Sequence, residues 1–251
     1  MKRLTIKDPF AVFSDVHANL PALEAILEDI EAQGVESTVC LGDLVGYGPF
    51  PNEVVALIRE RGIPTIMGNY DQGIGYSTGD CGCAYKTERQ RAEGTASLKW
   101  TQEVCTEETR AILRTLEDRF LLKIPAGEIL AVHGSPRRIN EYLFEDRPES
   151  ALARIVKENP YRGILFGHTH IPYIRQVEGT TFVNVGSAGR PKDGNWRACY
   201  ALIDSAVSPK EGPLAVEFVR VAYDYERLAF ALAETPLLTQ FTGPHPRSAN
   251  P

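Results

Sequence analysis

Gly163-Ile164-Leu165-Phe166-Gly167-His168-Thr169-His170 runs a short apolar segment directly into two histidines one residue apart. The apolar part reads as a buried strand. His168 and His170 therefore leave a strand end, where open α/β sheets place their ligand crevices. Charged imidazoles this close would repel, so neutral metal ligands are the simplest account of the pair. Two loop histidines facing water satisfy the same spacing. Taken alone, the pair is expected to chelate one ion through both rings.

The same grammar recurs outward along the chain. Phe10–Ser14 reads as a buried strand ending in Asp15-Val16-His17. Asn19 is a candidate N-cap, Pro21 is tolerated in a first turn, and Leu20, Leu23, Ile26, Leu27 and Ile30 keep helical spacing up to Gly34. Ser37–Leu41 is a second strand, followed by Gly42-Asp43. Asn52–Arg61 reads as a helix, and Pro64–Met67 as a third strand ending in Gly68-Asn69-Tyr70-Asp71. This alternation implies right-handed βαβ units and a parallel sheet. From Gln72 to Tyr85 four glycines break the pattern, which reads as a flap beside the strand ends. Glu88–Leu116 reads as two or three helices. Phe120–Ile124 and Glu128–Val132 flank a hairpin turn, and the second runs into His133-Gly134. After a helix over Glu149–Glu158, the strand before His168, a second hairpin around Glu178-Gly179 and strands at Ala198–Ile203 and Leu214–Val221 complete a half that is mostly antiparallel. A second sheet packed on the first is expected, followed by a helix over Tyr225–Leu238. The chain is expected to form one domain over 1–241, with 72–118 a flap and helical insertion and 242–251 a flexible tail.

Composition narrows the function. The 251 residues are 43% apolar and 24% charged, ordinary for a soluble globular chain. The formal net charge of −6 argues against a stable nucleic-acid complex, which needs a basic footprint. No apolar run is long enough to cross a bilayer, and the N-terminus does not read as a signal peptide, so a cytoplasmic protein is expected. The five cysteines are odd in number and sparse, which disfavours a disulfide framework. Cys40 and Cys199 sit in apolar runs as core residues, and Cys81-Gly82-Cys83 reads as two reduced loop thiols.

Five strand ends thus carry Asp15 and His17, Asp43, Asn69, His133, and His168 with His170. Carboxylates, imidazoles and an amide oxygen suit Mn, Fe, Zn or Mg. Seven candidates exceed the needs of one tetrahedral site and point to two ions. Each residue has an ordinary alternative, as a helix cap, a satisfied loop histidine or an arginine partner. The repetition at every strand end is what those alternatives do not explain. Phe13-Ser14-Asp15-Val16-His17, Leu41-Gly42-Asp43, Gly68-Asn69-Tyr70-Asp71, His133-Gly134 and Gly167-His168-Thr169-His170, in this order, closely resemble the calcineurin-like metallophosphoesterases over residues 10 to 204. Gly186-Ser187 resembles the smaller bacterial and archaeal phosphodiesterase branch, which includes dinucleoside polyphosphate hydrolases.

The resemblance implies a four-layer αββα sandwich of two mixed β-sheets with a dinuclear metal centre at the strand ends. It implies that Asp15, His17, Asp43 and His170 hold one ion. Asp43 bridges to a second, held also by Asn69, His133 and His168. It further implies in-line attack on phosphorus by a metal-bridging hydroxide, with no protein nucleophile. Asp43, Asn69, Tyr70 and Asp71 form the expected catalytic set. Many family members have histidine at the position of Tyr70, paired with the following aspartate, to protonate the leaving group. A phenol of pKa about 10 is a poor proton reservoir but can donate a hydrogen bond. Activated diesters and phosphoanhydrides are therefore expected substrates, small, phosphorylated and nucleotide-like. Arg137, Arg138, Arg190 and Lys86 are candidate substrate-binding cations. Tyr76 and Tyr85 offer rings that can stack on a base. A phosphomonoesterase or protein phosphatase is the alternative enzyme, and a non-catalytic protein-binding scaffold is the alternative outside enzymology. A homo-oligomer is compatible with either.

Overall fold

The computed structural model describes residues 1–209, 212–237 and 241. The chain opens with strands Lys2–Thr5 (β1) and Phe10–Phe13 (β2), helix Leu20–Ala32 (α1), strand Ser37–Cys40 (β3) and helices Pro51–Glu60 (α2), Asn69–Gly75 (α3), Glu88–Val104 (α4) and Glu107–Leu113 (α5). Strands Arg119–Ile124 (β4) and Gly127–Val132 (β5), helix Glu149–Glu158 (α6) and strands Gly163–Phe166 (β6), Tyr173–Val177 (β7) and Thr180–Asn184 (β8) come next. Ala198–Asp204 (β9), Ala215–Val221 (β10) and helix Tyr225–Ala233 (α7) complete the described elements. Among the described residues, no helix is long and apolar enough to cross a membrane.

Two mixed sheets result, a large one in the order β1-β4-β5-β6-β8-β7 and a small one in the order β10-β9-β2-β3. Side-chain alternation builds the layers. Phe10, Val12, Val39 and Leu41 of the small-sheet strands and their ends meet Phe120, Leu122, Ile129, Ala131, Leu165 and Val183 of the large sheet in one core. The opposite faces turn outward. Ala11, Phe13, Cys40 and Tyr200 pack under α1, α2 and α7, while Val132, Ile164, Phe166 and Phe182 pack under Leu152, Ile155 and Val156 of α6. The order of layers is helices, small sheet, large sheet, helix, the expected sandwich. α1 is held at its start by Asn19, whose Oδ1 accepts from the Ala22 amide at 3.2 Å, with Pro21 in the first turn.

Three expectations need correction. The sheets do not divide by chain half. β1 pairs in parallel with β4 in the large sheet, and β9 returns to pair with β2 in the small one, with β10 beyond it at the edge. The later half also contains parallel pairs, β5 with β6 and β6 with β8. Pro64–Met67 makes only isolated bridges, Cys40 with Thr65 and Ile66 with Glu117, because Pro64 has no N–H to donate and the segment turns at Gly68. Two of the four glycines expected in the loop over 72–85 are helical, while Gly79 and Gly82 do lie in irregular backbone. Gly73 and Gly75 lie within α3, where a Cβ would come within 3.1 Å of the Asp80 carbonyl oxygen and 3.2 Å of Leu113 Cβ, so they let α3 pack closely. The expected tail over 242–251 and the helix end at Leu238 lie outside the described residues.

Candidate metal centre

β2 and β3 of the small sheet and β5 and β6 of the large sheet end at one place, and each is followed within three residues by an acid or histidine. The loops beyond the strands are laced together by backbone hydrogen bonds. Asp15 N donates to Gly42 O at 2.9 Å, His17 N to Asp43 O at 2.9 Å, and Gly167 N to His133 O at 2.9 Å. Asp15, His17, Asp43, His168 and His170 all adopt positive φ, between 48° and 65°. That conformation is costly for non-glycine residues, and such strain clusters where side chains must be aimed at a ligand.

The structure gathers all seven predicted residues, each no more than 3% exposed. Two groups can hold a metal ion, Asp15 with His17 and His170, and Asp43 with His133 and His168. In the first, His170 Nε2 lies 3.2 Å from Asp15 Oδ1 and 3.1 Å from His17 Nε2. In the second, His133 Nε2 lies 3.4 Å from Asp43 Oδ2 and 3.1 Å from Asn69 Oδ1. His17 Nε2 is 3.7 Å from the same Asp43 Oδ2, so that oxygen faces both groups.

The donor set fits metal ions. The Nδ1 atoms of His17, His133 and His170 lie 3.1, 2.8 and 2.6 Å from the carbonyl oxygens of Val45, Leu41 and Arg190. A ring that donates from Nδ1 presents the lone pair of Nε2 inward. Asn69 Nδ2 donates to Cys81 O at 2.9 Å, which turns Oδ1 toward His133. Each group also contains one buried atom with no hydrogen-bond partner, Asp15 Oδ1 in the first and His168 Nε2 in the second. A buried acceptor left unpaired is costly, and a cation in each group removes that cost.

Electrostatics agree for three of the four imidazoles. Burial pushes His17 and His168 well below the usual imidazole range and His170 below it, so these rings are neutral. Burial also pulls down on His133, but the Asp43 carboxylate outweighs it and lifts the ring to about 10. Burial pushes Asp15 up, and only positive charge among its neighbours, at His170 first, pulls it below the carboxylate range. With His170 and His17 neutral, a cation in the group would supply that charge.

A cavity of about 480 Å³ opens over both groups. Of the expected substrate-binding cations, Lys86 and Arg190 line it. Arg137 and Arg138 do not; Arg137 is paired with Glu141 through Nε at 3.1 Å. Tyr70 lines the cavity, and its hydroxyl lies 3.3 Å from that of Tyr85. Tyr76 points away, toward the Arg114 carbonyl oxygen. Asp71, expected in the catalytic set, is placed outside the cavity. Its Oδ1 accepts from Leu44 N at 2.9 Å and its Oδ2 from Gly68 N at 2.9 Å, so it braces the loops beneath the site and does not line the cavity. Burial, and then the neighbouring Asp43 carboxylate, push Asp71 up to about 7. Sequence reading missed Lys192, Tyr47 and Tyr142, which also line the cavity. Lys192 lies two residues beyond Arg190, and burial pulls it down to about 8. Cys40 and Cys199 are buried core thiols as expected, and all five cysteines are free. Cys83 reaches the cavity and accepts from Asn69 Nδ2 at 3.3 Å.

Comparison with known proteins places this arrangement in a family. Residues 9–207 match the calcineurin-like phosphoesterase superfamily domain. The chain is 33% identical to the uncharacterized protein MJ0912 of Methanocaldococcus jannaschii, over 88% of this chain and 90% of that one. It is 26% identical to the phosphodiesterase YfcE of Escherichia coli K12, over 77% of this chain and 86% of that one. The crystal structure of a metallophosphoesterase from Sphaerobacter thermophilus, 30% identical, superposes with a TM-score of 0.69 over 92% of this chain and 96% of that one. The chain belongs to the calcineurin-like phosphoesterase superfamily, a metal-dependent family, and is a phosphoesterase.

Proposed function

We propose that the chain is a two-metal phosphodiesterase that hydrolyses phosphodiester or phosphoanhydride bonds in phosphodiesters, dinucleoside polyphosphates or nucleotides of the cytoplasm. One observation carries the reading: two buried acid–histidine groups, each with one orphaned polar atom, share Asp43 Oδ2 at their junction. Asp15, His17, Asp43 and His170 hold one ion; Asp43, Asn69, His133 and His168 hold the other. The donors suit Mn, Fe, Zn or Mg. When bound, the ions supply an activated water and offset charge on the phosphoryl oxygens. Arg190 and Lys192 line the same cavity and bind the phosphate. The name of the phosphodiesterase YfcE supports diester chemistry.

Burial pushes the Tyr70 phenol well above its usual range, so Tyr70 keeps its proton and donates a hydrogen bond to a departing oxygen. This favours leaving groups that need little protonation. Tyr70→Phe is expected to slow esters with poor leaving groups by on the order of tenfold, with a smaller effect on nitrophenyl esters. A Brønsted plot over leaving-group pKa reads the difference; equal slowing across the series would assign Tyr70 to packing.

The direct test is hydrolysis of bis(p-nitrophenyl) phosphate and of diadenosine tetraphosphate with added Mn²⁺. Turnover of at least one is expected, with diesters preferred over monoesters. Protein shown to hold two metals that turns over neither would contradict the proposal, and a monoester preference would make the chain a phosphomonoesterase. The assignment of ions is tested separately. His168→Ala and His170→Ala are each expected to keep about one of two ions, a different one in each, and to lose two-metal turnover. Loss of the same ion from both variants, read by metal analysis and Mn²⁺ spectroscopy, would return the pair to a single shared site.

A further inference from the structure

The cavity continues past the metal centre into a second hollow of about 550 Å³. The two share Lys86, Phe144, Thr169 and Ile171 on their walls. The aromatic surface between them starts at the centre itself. The Tyr142 ring lies 4.1 Å from the His168 ring, and the Phe144 ring stacks on Tyr142 at 5.6 Å and 14°. Lys86 Nζ is 5.8 Å from the Phe144 centroid, and Phe144 is 37% exposed, so its outer surface is open to a ligand.

The segment carrying these rings is irregular yet pinned. Arg147 Nη1 donates to Tyr142 O at 3.1 Å, the Tyr173 hydroxyl to Leu143 O at 2.9 Å, and Arg175 Nη1 to Glu145 O at 2.7 Å. Leu143 is fully buried beneath the segment. Three held carbonyls and one buried anchor present Phe144 as a preorganised platform, which lowers the entropic cost of stacking a ring on it.

Charge divides the two compartments. The inner cavity carries Arg190 and Lys192 as well as the metal ligands, and so suits phosphate. The outer hollow carries Glu145 and Asp146 against the one shared Lys86, so its carboxylates outnumber its cation, disfavour a further phosphate and accept hydrogen bonds from N–H and O–H groups. We infer that the outer hollow is a nucleoside subsite: Phe144 stacks on a heteroaromatic base while the attached phosphate sits over the metal centre. This rests on the phosphodiesterase reading for the inner compartment and names the substrate's outer part.

Calorimetric titration with adenosine 5′-monophosphate and with ribose 5-phosphate isolates the base. Adenosine 5′-monophosphate is expected to bind more tightly by about tenfold or more. Phe144→Ala should reduce that preference to within about twofold and leave ribose 5-phosphate affinity unchanged, which also reports an intact inner site; Phe144→Trp should keep the preference. Equal affinities in the unaltered protein, undetectable binding of both ligands, or a preference that survives Phe144→Ala would overturn the subsite. Turnover of the nitrophenyl diester is followed in the same preparations. Turnover without a base preference sinks the subsite alone. A base preference without turnover sinks the catalytic reading alone.

Discussion

Asp43→Asn is expected to lose metal from both groups and to lower hydrolysis by at least on the order of a hundredfold, the loss that disturbing mere outer partners of ligands already causes. Asp43 Oδ1 accepts from Tyr70 N at 2.8 Å, while Oδ2 faces His133 Nε2 at 3.4 Å and His17 Nε2 at 3.7 Å. An amide fails in either orientation. With its NH₂ at the Oδ2 position, a donor replaces the oxygen that faces both groups. With its NH₂ at the Oδ1 position, a donor confronts the Tyr70 N–H, and the oxygen left inward carries no charge. Asparagine tolerates the positive φ of 53° at this position, so the substitution tests the carboxylate and not the backbone. Metal analysis and diester turnover are the measurements. Two retained ions with near-normal turnover would show that Asp43 does not join the groups.

Much of this centre is legible in the sequence because its logic is local. A strand buried on both faces shows as an unbroken apolar run, and the residues directly after it must emerge at the sheet's end. That is why Phe10–Phe13 and Gly163–Phe166, and the buried apolar ends of Ser37–Cys40 and Gly127–Val132, could each be read together with the ligands behind them. Sheet membership is not local. β1 and β10 have sequence patterns compatible with either sheet, and only long-range pairing decides where each goes. Side-chain direction is also hidden when a residue has competing partners. Asp71 could pair with a catalytic group or bind amides. Its place three residues after Gly68 is capping-box spacing, and it binds the Gly68 amide accordingly. Arg137 could meet phosphate, but Glu141 four residues later takes it first. Tyr142 and Phe144 carry no periodic signal because they sit outside any helix or strand, on a segment shaped by Arg147, Tyr173 and Arg175.

Gly167→Ala is expected to damage fold and centre together. A Cβ at this position would run into Ser14 Oγ and Asp15 Oδ2 and lie 2.7 Å from Ser14 Cβ. None of these atoms can yield easily. Ser14 and Asp15 are fully buried, and Asp15 Oδ2 already accepts from His168 N at 2.9 Å. Gly167 is where the end of β6 in the large sheet touches the end of β2 in the small one, so the methyl group pries the two sheets apart at the point where their ligands converge. Overpacking of this kind costs about 1–3 kcal/mol, and it displaces Asp15 from His170 at the same time. The urea midpoint should fall and metal content should fall with it. Metal that binds only the folded chain adds stability, so chelation should lower the thermal midpoint of the unaltered protein and change that of Gly167→Ala little. If the variant unfolds at the normal midpoint and still responds to chelation as the unaltered protein does, the contact of Gly167 with Asp15 does not couple the sheets to the metal centre.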